Sequence, residues 1–131
     1  FVPVASLEAM AKARVNSTNW DAAFSEAGLL GAYLYCRQTV HATSAFHARM
    51  FAPAMGIPED PATGSAAVGF AGVLQRFDVL PDGPHKRVIE QGLEMGRPSF
   101  IALSCSVEGG KLSNVRIGGH AVRLAEGTLH L

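Results

Sequence analysis

"EDPATGSAAVGFAGVLQRF", residues Glu59 to Phe77, decides how the rest of the chain is arranged. From Thr63 to Phe77 the stretch is long enough for a helix and holds no proline. Almost everything up to Leu74 is apolar or small, and a helix apolar all round is a buried helix. Gly69 and Gly72 each cost about 1 kcal/mol against alanine in a helix interior. Close approach of neighbouring strands is the expected compensation. The residues ahead of the helix supply its start. Asp60 is a good N-cap, and Pro61 at the first helical position loses no hydrogen bond that mattered. Pro61 also pushes Asp60 away from helical angles. The spacing therefore predicts a helix capped at Asp60.

Working outward, residues 2–4 read as the end of a strand. Ser6 caps a short helix through about Ala13, with Glu8 in its first turn. Asn19 is the expected cap of a second helix, Trp20 to Ala27, stopped by Gly28. "GAYLYC", Gly31 to Cys36, is strand-like. "TSAFHARMFAP" reads as a strand ended by Pro53. Its alternation puts His47, Arg49 and Phe51 on one face and Phe46, Ala48 and Met50 on the other. Beyond the helix, "DVLPDGPH" is a loop rich in turn formers. "KRVIEQG" and "SFIALSCSV" are strands, and "EGGK", residues 108–111, is a hairpin turn. "LSNVRIGG" and "HAVRLAEGTLHL" are expected to add two more strands, with a glycine corner at Gly118-Gly119. The expectation is an α+β fold: a barrel-like, mostly antiparallel or mixed sheet of five or six strands wrapped around one central buried helix. With no repeat, linker or low-complexity segment, residues 1–131 read as one domain.

The 131 residues fit one domain of ordinary size. Charged residues make up 17%, below the usual roughly 25%. That deficit hints at a face covered by a partner domain or subunit. Formal net charge is zero and no run of like charges occurs, so nucleic-acid binding has no electrostatic footprint. No apolar run approaches the roughly 20 residues of a membrane span, and no charged-then-apolar leader is visible. A cytoplasmic location is the default expectation. Cys36 and Cys105 lack CxxC spacing, sit in apolar strand-like runs, and read as buried free thiols. The chain opens Phe1-Val2-Pro3-Val4, as if cut from a longer one.

The helix start also has a functional reading. Thr63, Gly64 and Ser65 offer free backbone N–H groups and hydroxyls at the positive end of a helix dipole. A carboxylate or phosphate suits such a place. Gly64 lets a ligand approach the backbone, and Asp60 beside it can hold an amine or hydroxyl or steer a proton. Arg49 can pair with Glu59 or Asp60 or reach the ligand, and the structural ion pair is the favoured expectation. Arg97, ahead of Pro98, reads as a structural or interface residue. His41 and His47 are six apart, a spacing without metal-site logic, and lack carboxylate company in the sequence. The "IGGH" glycines suit a sheet corner better than a phosphate loop, since no helix follows them.

The words around the motif carry a resemblance. "RMFAPAMGIPEDPATGSAAVGFAGVL", "VIEQGLEMGRPS" (Val88 to Ser99) and "VRIGGHAV" (Val115 to Val122) resemble, in order, the PhzF-like isomerase family of phenazine biosynthesis. The resemblance implies a protein of two similar halves, each a sheet around a central helix as in diaminopimelate epimerase. Its active site lies between the halves at both helix starts. It implies an isomerase or epimerase moving a proton on a small carboxylate metabolite, without metal or organic cofactor, commonly as a homodimer. This chain resembles the second half only. By position, Asp60 matches the family's active-site aspartate and Ser65 its substrate-binding serine. Gly64 contributes a backbone N–H to the substrate carboxylate, and Thr63 is a first-turn neighbour with a weaker claim. The family's proton-shuttling glutamate belongs to the first half, and nothing here matches it. The same holds for its substrate-binding histidine, so none of His41, His47, His85, His120 or His130 takes that role. No cysteine lies in the motif, which disfavours two-cysteine racemisation. The chain is therefore expected to be inactive without its first half. The rival readings are a stand-alone, dimeric carboxylate-binding module and a purely structural fragment.

Overall fold

The computed structural model describes residues 1–130. The chain begins with a two-residue strand β1 (Val2–Pro3), then α1 (Leu7–Lys12) and α2 (Ser17–Trp20), the latter running into a π-helical turn over Asp21–Ser25. Strands β2 (Ala32–Cys36), β3 (Phe46–Ala52) and β4 (Ile57–Asp60) precede helix α3 (Gly64–Phe77). Strands β5 (Gly83–Gln91), β6 (Ser99–Glu108) and β7 (Lys111–Gly118) follow it.

All seven strands join one mixed sheet in the order β1-β2-β3-β5-β6-β7, with β4 paired to β3 off that path. The β1–β2 and β3–β5 pairs are parallel and the rest antiparallel. The alternation read in β3 holds. Phe46, Ala48 and Met50 face α3 and join the main core, with Phe70, Ala71 and Leu74 of the helix and Ile89, Leu103 and Val107 of the sheet. Phe51 faces the other way, against Trp20 and Ala32 in a smaller cluster. The sheet thus has α3 on one face and the α1–α2 segment on the other. Phe70 is fully buried and touches the rings of Tyr35 and Phe46, with centroids at 4.7 and 5.0 Å.

Several expectations are corrected. The sheet is open, not closed as a barrel, with β1 and β7 at its edges. Helix α3 is buried on one face only: Val68, Gly69, Gly72 and Phe77 are exposed. The reason is geometric, since the sheet lies along one side and nothing described here covers the other. Gly72 has no neighbour where a Cβ would stand, so it is not explained by a close strand. At Gly69 a Cβ would lie 3.0 Å from the Phe1 ring, so the close neighbour is a side chain. Residues 119–130 form no strand, and Val122, Leu124 and Leu129 are exposed. Alternation alone does not make a strand, and this segment pairs with neither edge of the sheet. Leu131, the last residue of that expected strand, lies outside the described residues.

The helix starts differ as well. Ser6 caps α1 as expected, its Oγ accepting from Ala9 N at 3.1 Å. The cap of α2 is Asn16, three residues before Asn19. Asx residues at both positions made the start ambiguous in the sequence. Asp60 does not cap α3. It ends β4 opposite Met50, and Thr63 is the N-cap residue. Strand pairing competes with capping for Asp60 and wins. Strand β5 starts at Gly83, inside the expected loop, because it pairs with β6 along its whole length. The hairpin 108–111 forms as read, with Gly109 and Gly110 at φ +56° and +73°. Asp82 accepts the N–H groups of both glycines at 2.9 Å, which lowers its carboxyl below the usual range. No helix of the described residues is long and apolar enough to cross a membrane.

Candidate active site at the start of helix α3

The start of α3 is uncapped. Thr63 makes no side-chain capping bond, and the first intrahelical bond runs from Ala67 N to the Thr63 carbonyl at 3.1 Å. The N–H groups of Gly64, Ser65 and Ala66 thus have no helical acceptor. Ser65 is exposed, Gly64 partly so. At Gly64 a Cβ would lie 2.6 Å from Ile117 Cδ1, so the glycine is packed under a side chain of β7 as well as open to approach.

Asp60 stands beside this start. Its Oδ2 accepts from the Thr63 hydroxyl at 2.7 Å, and its Oδ1 receives only a long 3.4 Å contact from Ala62 N. Asp60, Thr63, Gly64 and Ser65 are therefore brought together as one surface. The Thr63 hydroxyl proton already points at Asp60, and the residue is nearly buried.

On the opposite face of the sheet two charged contacts are buried. The Arg49 guanidinium holds Glu59 through two bonds of 2.8 Å and donates to the Met10 carbonyl at 2.7 Å, so the expected ion pair forms with Glu59 and not with Asp60. His47 does have carboxylate company: Glu90 at Nδ1 and Glu94 at Nε2, both at 2.9 Å. The sequence separation of more than forty residues hid these neighbours, which β3–β5 pairing supplies. The two carboxylates sit at opposite ring nitrogens and do not converge. Among the described residues no group of three or more such side chains could hold a metal ion. Burial pushes the Glu90 carboxyl up, but the N–H groups of Val40 and His41 and the His47 ring outweigh it and leave it below the ordinary range.

Two clefts open on that same face. One, about 300 Å³, is almost wholly apolar, between Val15, Trp20, Phe24 and Leu34. The other, about 510 Å³, lies between Arg14, Arg49, Glu59 and Glu94. The first has an apolar wall with polar side chains only from Arg14, Asn16 and Asn19 of one segment, and in the second Arg49 is already paired. The α3 start has unpaired donors and an adjacent carboxylate, and is the better candidate. Cys36 and Cys105 are buried and unpaired, away from it.

An "Uncharacterized isomerase" of Mesorhizobium japonicum is 50% identical over 99% of this chain and 44% of its own length. The trans-2,3-dihydro-3-hydroxyanthranilate isomerase of Pseudomonas aeruginosa is 40% identical over 66% of this chain and 31% of its own. A Bacillus anthracis phenazine biosynthesis protein of the PhzF family shares the fold, with a TM-score of 0.78 at 23% identity, over 89% of this chain and 40% of that one. The chain thus spans less than half the length of the relatives it matches. The family described as phenazine biosynthesis-like protein matches residues 1–127, and the chain belongs to this PhzF family of proteins.

Proposed function

We propose that this chain is the carboxy-terminal half of a cofactor-independent isomerase or epimerase that moves a proton on a small carboxylate-bearing metabolite. The observation that carries the reading is the open start of α3, with three donor N–H groups and the Asp60 carboxylate beside them. In this reading the Gly64 N–H and the Ser65 N–H and hydroxyl bind the substrate carboxylate, and Thr63 is a close neighbour. Asp60 is the catalytic group this half supplies: it takes a hydrogen bond from a substrate amine or hydroxyl and steers the moving proton. The base is a glutamate from the other half. Relatives named as isomerases support the reaction class. The exposed Val68 and Phe77 on the outer side of α3 are surfaces that the other half or a second copy would cover, as a homodimer of the whole protein requires.

Alone, the chain binds weakly and turns nothing over. The test is deuterium uptake from D₂O into trans-2,3-dihydro-3-hydroxyanthranilate, the compound named for the Pseudomonas relative. The isolated chain is expected to be silent. The chain joined behind the first half of its Mesorhizobium relative is expected to exchange, and Asp60→Ala to lower that rate by about 100-fold or more. Exchange by the isolated chain, or an unaffected Asp60→Ala, contradicts the reading.

A further inference from the structure

Two strand ends meet along one edge of β3. Strand β4 ends at Asp60, opposite Met50, and β5 ends at Gln91, opposite Ala48. Ala48 and Met50 are two residues apart, so Asp60 and Gln91 both project to the α3 side of the sheet. Glu59 and Glu90, one residue earlier in each strand, project to the other side, where Arg49 and His47 meet them.

Gln91 is fully buried and makes three hydrogen bonds, all to the segment that carries the site. Its Oε1 accepts from Thr63 N at 3.3 Å, and its Nε2 donates to the Asp60 carbonyl at 2.7 Å and to Thr63 Oγ1 at 3.0 Å. These partners fix the direction of every proton. The Thr63 N–H can only donate, so the amide oxygen faces it. Nε2 then faces Thr63 Oγ1, which must accept, and the single hydroxyl proton is left for Asp60 Oδ2. Gly92 lets the two turns touch. It has φ +79°, and a Cβ there would lie 2.8 Å from the Pro61 carbonyl oxygen and 2.4 Å from that of Arg97.

We propose that Gln91, acting through the Thr63 hydroxyl, is a positioning residue for Asp60: it pins Oδ2 and leaves Oδ1 for the amine or hydroxyl of the bound ligand. This rests on the reading of the α3 start as the ligand site. It makes Thr63 a link in the support of Asp60 and not a ligand contact. It also gives a task to the "VIEQG" words, whose Gln91 side chain is bonded to the Asp60–Thr63 segment.

Two measurements on the chain test it. The first is the Thr63 hydroxyl proton by NMR. It is expected to exchange slowly in the unaltered protein and to vanish into solvent exchange in Gln91→Met, which removes the amide donor to Thr63 Oγ1. Its persistence in Gln91→Met overturns the relay. The second is affinity for two probes: benzoate, which offers only a carboxylate, and 3-hydroxyanthranilate, which adds an amine and a hydroxyl. Gln91→Met and Thr63→Val are each expected to weaken 3-hydroxyanthranilate about tenfold and benzoate less than about twofold. Thr63→Ser, which keeps the hydroxyl, is expected to restore the difference. Equal weakening of both probes assigns Gln91 a purely structural role and overturns the proposal. Binding of neither probe by the unaltered chain overturns the ligand site itself, a failure that the hydroxyl measurement separates from failure of the relay.

Discussion

Arg49 and Glu59 lock β3 to β4 through two parallel hydrogen bonds of 2.8 Å, and the same guanidinium reaches across to the Met10 carbonyl in the last turn of α1. Arg49 is 3% exposed. Its place next to the site-bearing strand makes it a strut for the Asp60 segment from the far side of the sheet.

Removing one partner of such a pair strands the other in a poorly solvated place. Arg49→Met is expected to destabilise the chain by about 3 kcal/mol in urea denaturation. Glu59 loses both guanidinium donors, while the Met10 carbonyl keeps only the Ala13 N–H. A change below about 0.5 kcal/mol contradicts this account.

Glu90 gives a pH signature. Its folded-state carboxyl lies below the ordinary glutamate value of 4.5 because backbone and imidazole donors outweigh burial. A depressed value means that the carboxylate contributes stability above the unfolded value. That contribution is lost as pH falls through the folded value. Glu90→Gln is expected to be less stable than the unaltered chain at pH 7, and the gap to shrink as pH falls below the ordinary glutamate range and through the folded value. A gap that stays constant from neutral to acid pH rules the assignment out.

Much of this was legible in the sequence, for reasons that can be named. The β3 alternation, the α3 span and the Glu108–Lys111 turn follow from local periodicity and turn chemistry, and all three stand in the structure. The resemblance supplied the residues of the candidate site. What could not be read depends on contacts distant in sequence. Asp60 looked like a cap because Pro61 follows it, and only pairing with Met50 makes it a strand end. His47 looked solitary because Glu90 and Glu94 come from another strand and the turn after it. Gln91 stood inside a quoted motif, but its partners, Asp60 and Thr63, are about thirty residues away. The barrel-like wrapping around α3 was not found because burial all round was inferred from composition, while the sheet lies along one side of α3.

Phe70 is the centre of the core. Phe70→Ala removes a fully buried ring that touches Tyr35 and Phe46, and is expected to cost about 3–5 kcal/mol. Thermal denaturation measures it, and a loss under about 1 kcal/mol would show that α3 does not pack on the sheet as described.

Burial pushes both thiols, Cys36 and Cys105, up from their ordinary value. A thiolate-selective reagent at neutral pH is expected to leave both almost unlabelled in the folded chain and to label both after denaturation. Rapid labelling of either in the folded state contradicts its burial.

The central claim is that the open start of α3 receives a carboxylate. Amide chemical shifts of the ¹⁵N-labelled chain, followed through a benzoate titration, test it most directly. The account expects saturable changes centred on Gly64, Ser65 and Ala66. Changes centred on the Arg14–Arg49 cleft, or no saturable change at the three helix-start amides, would contradict it.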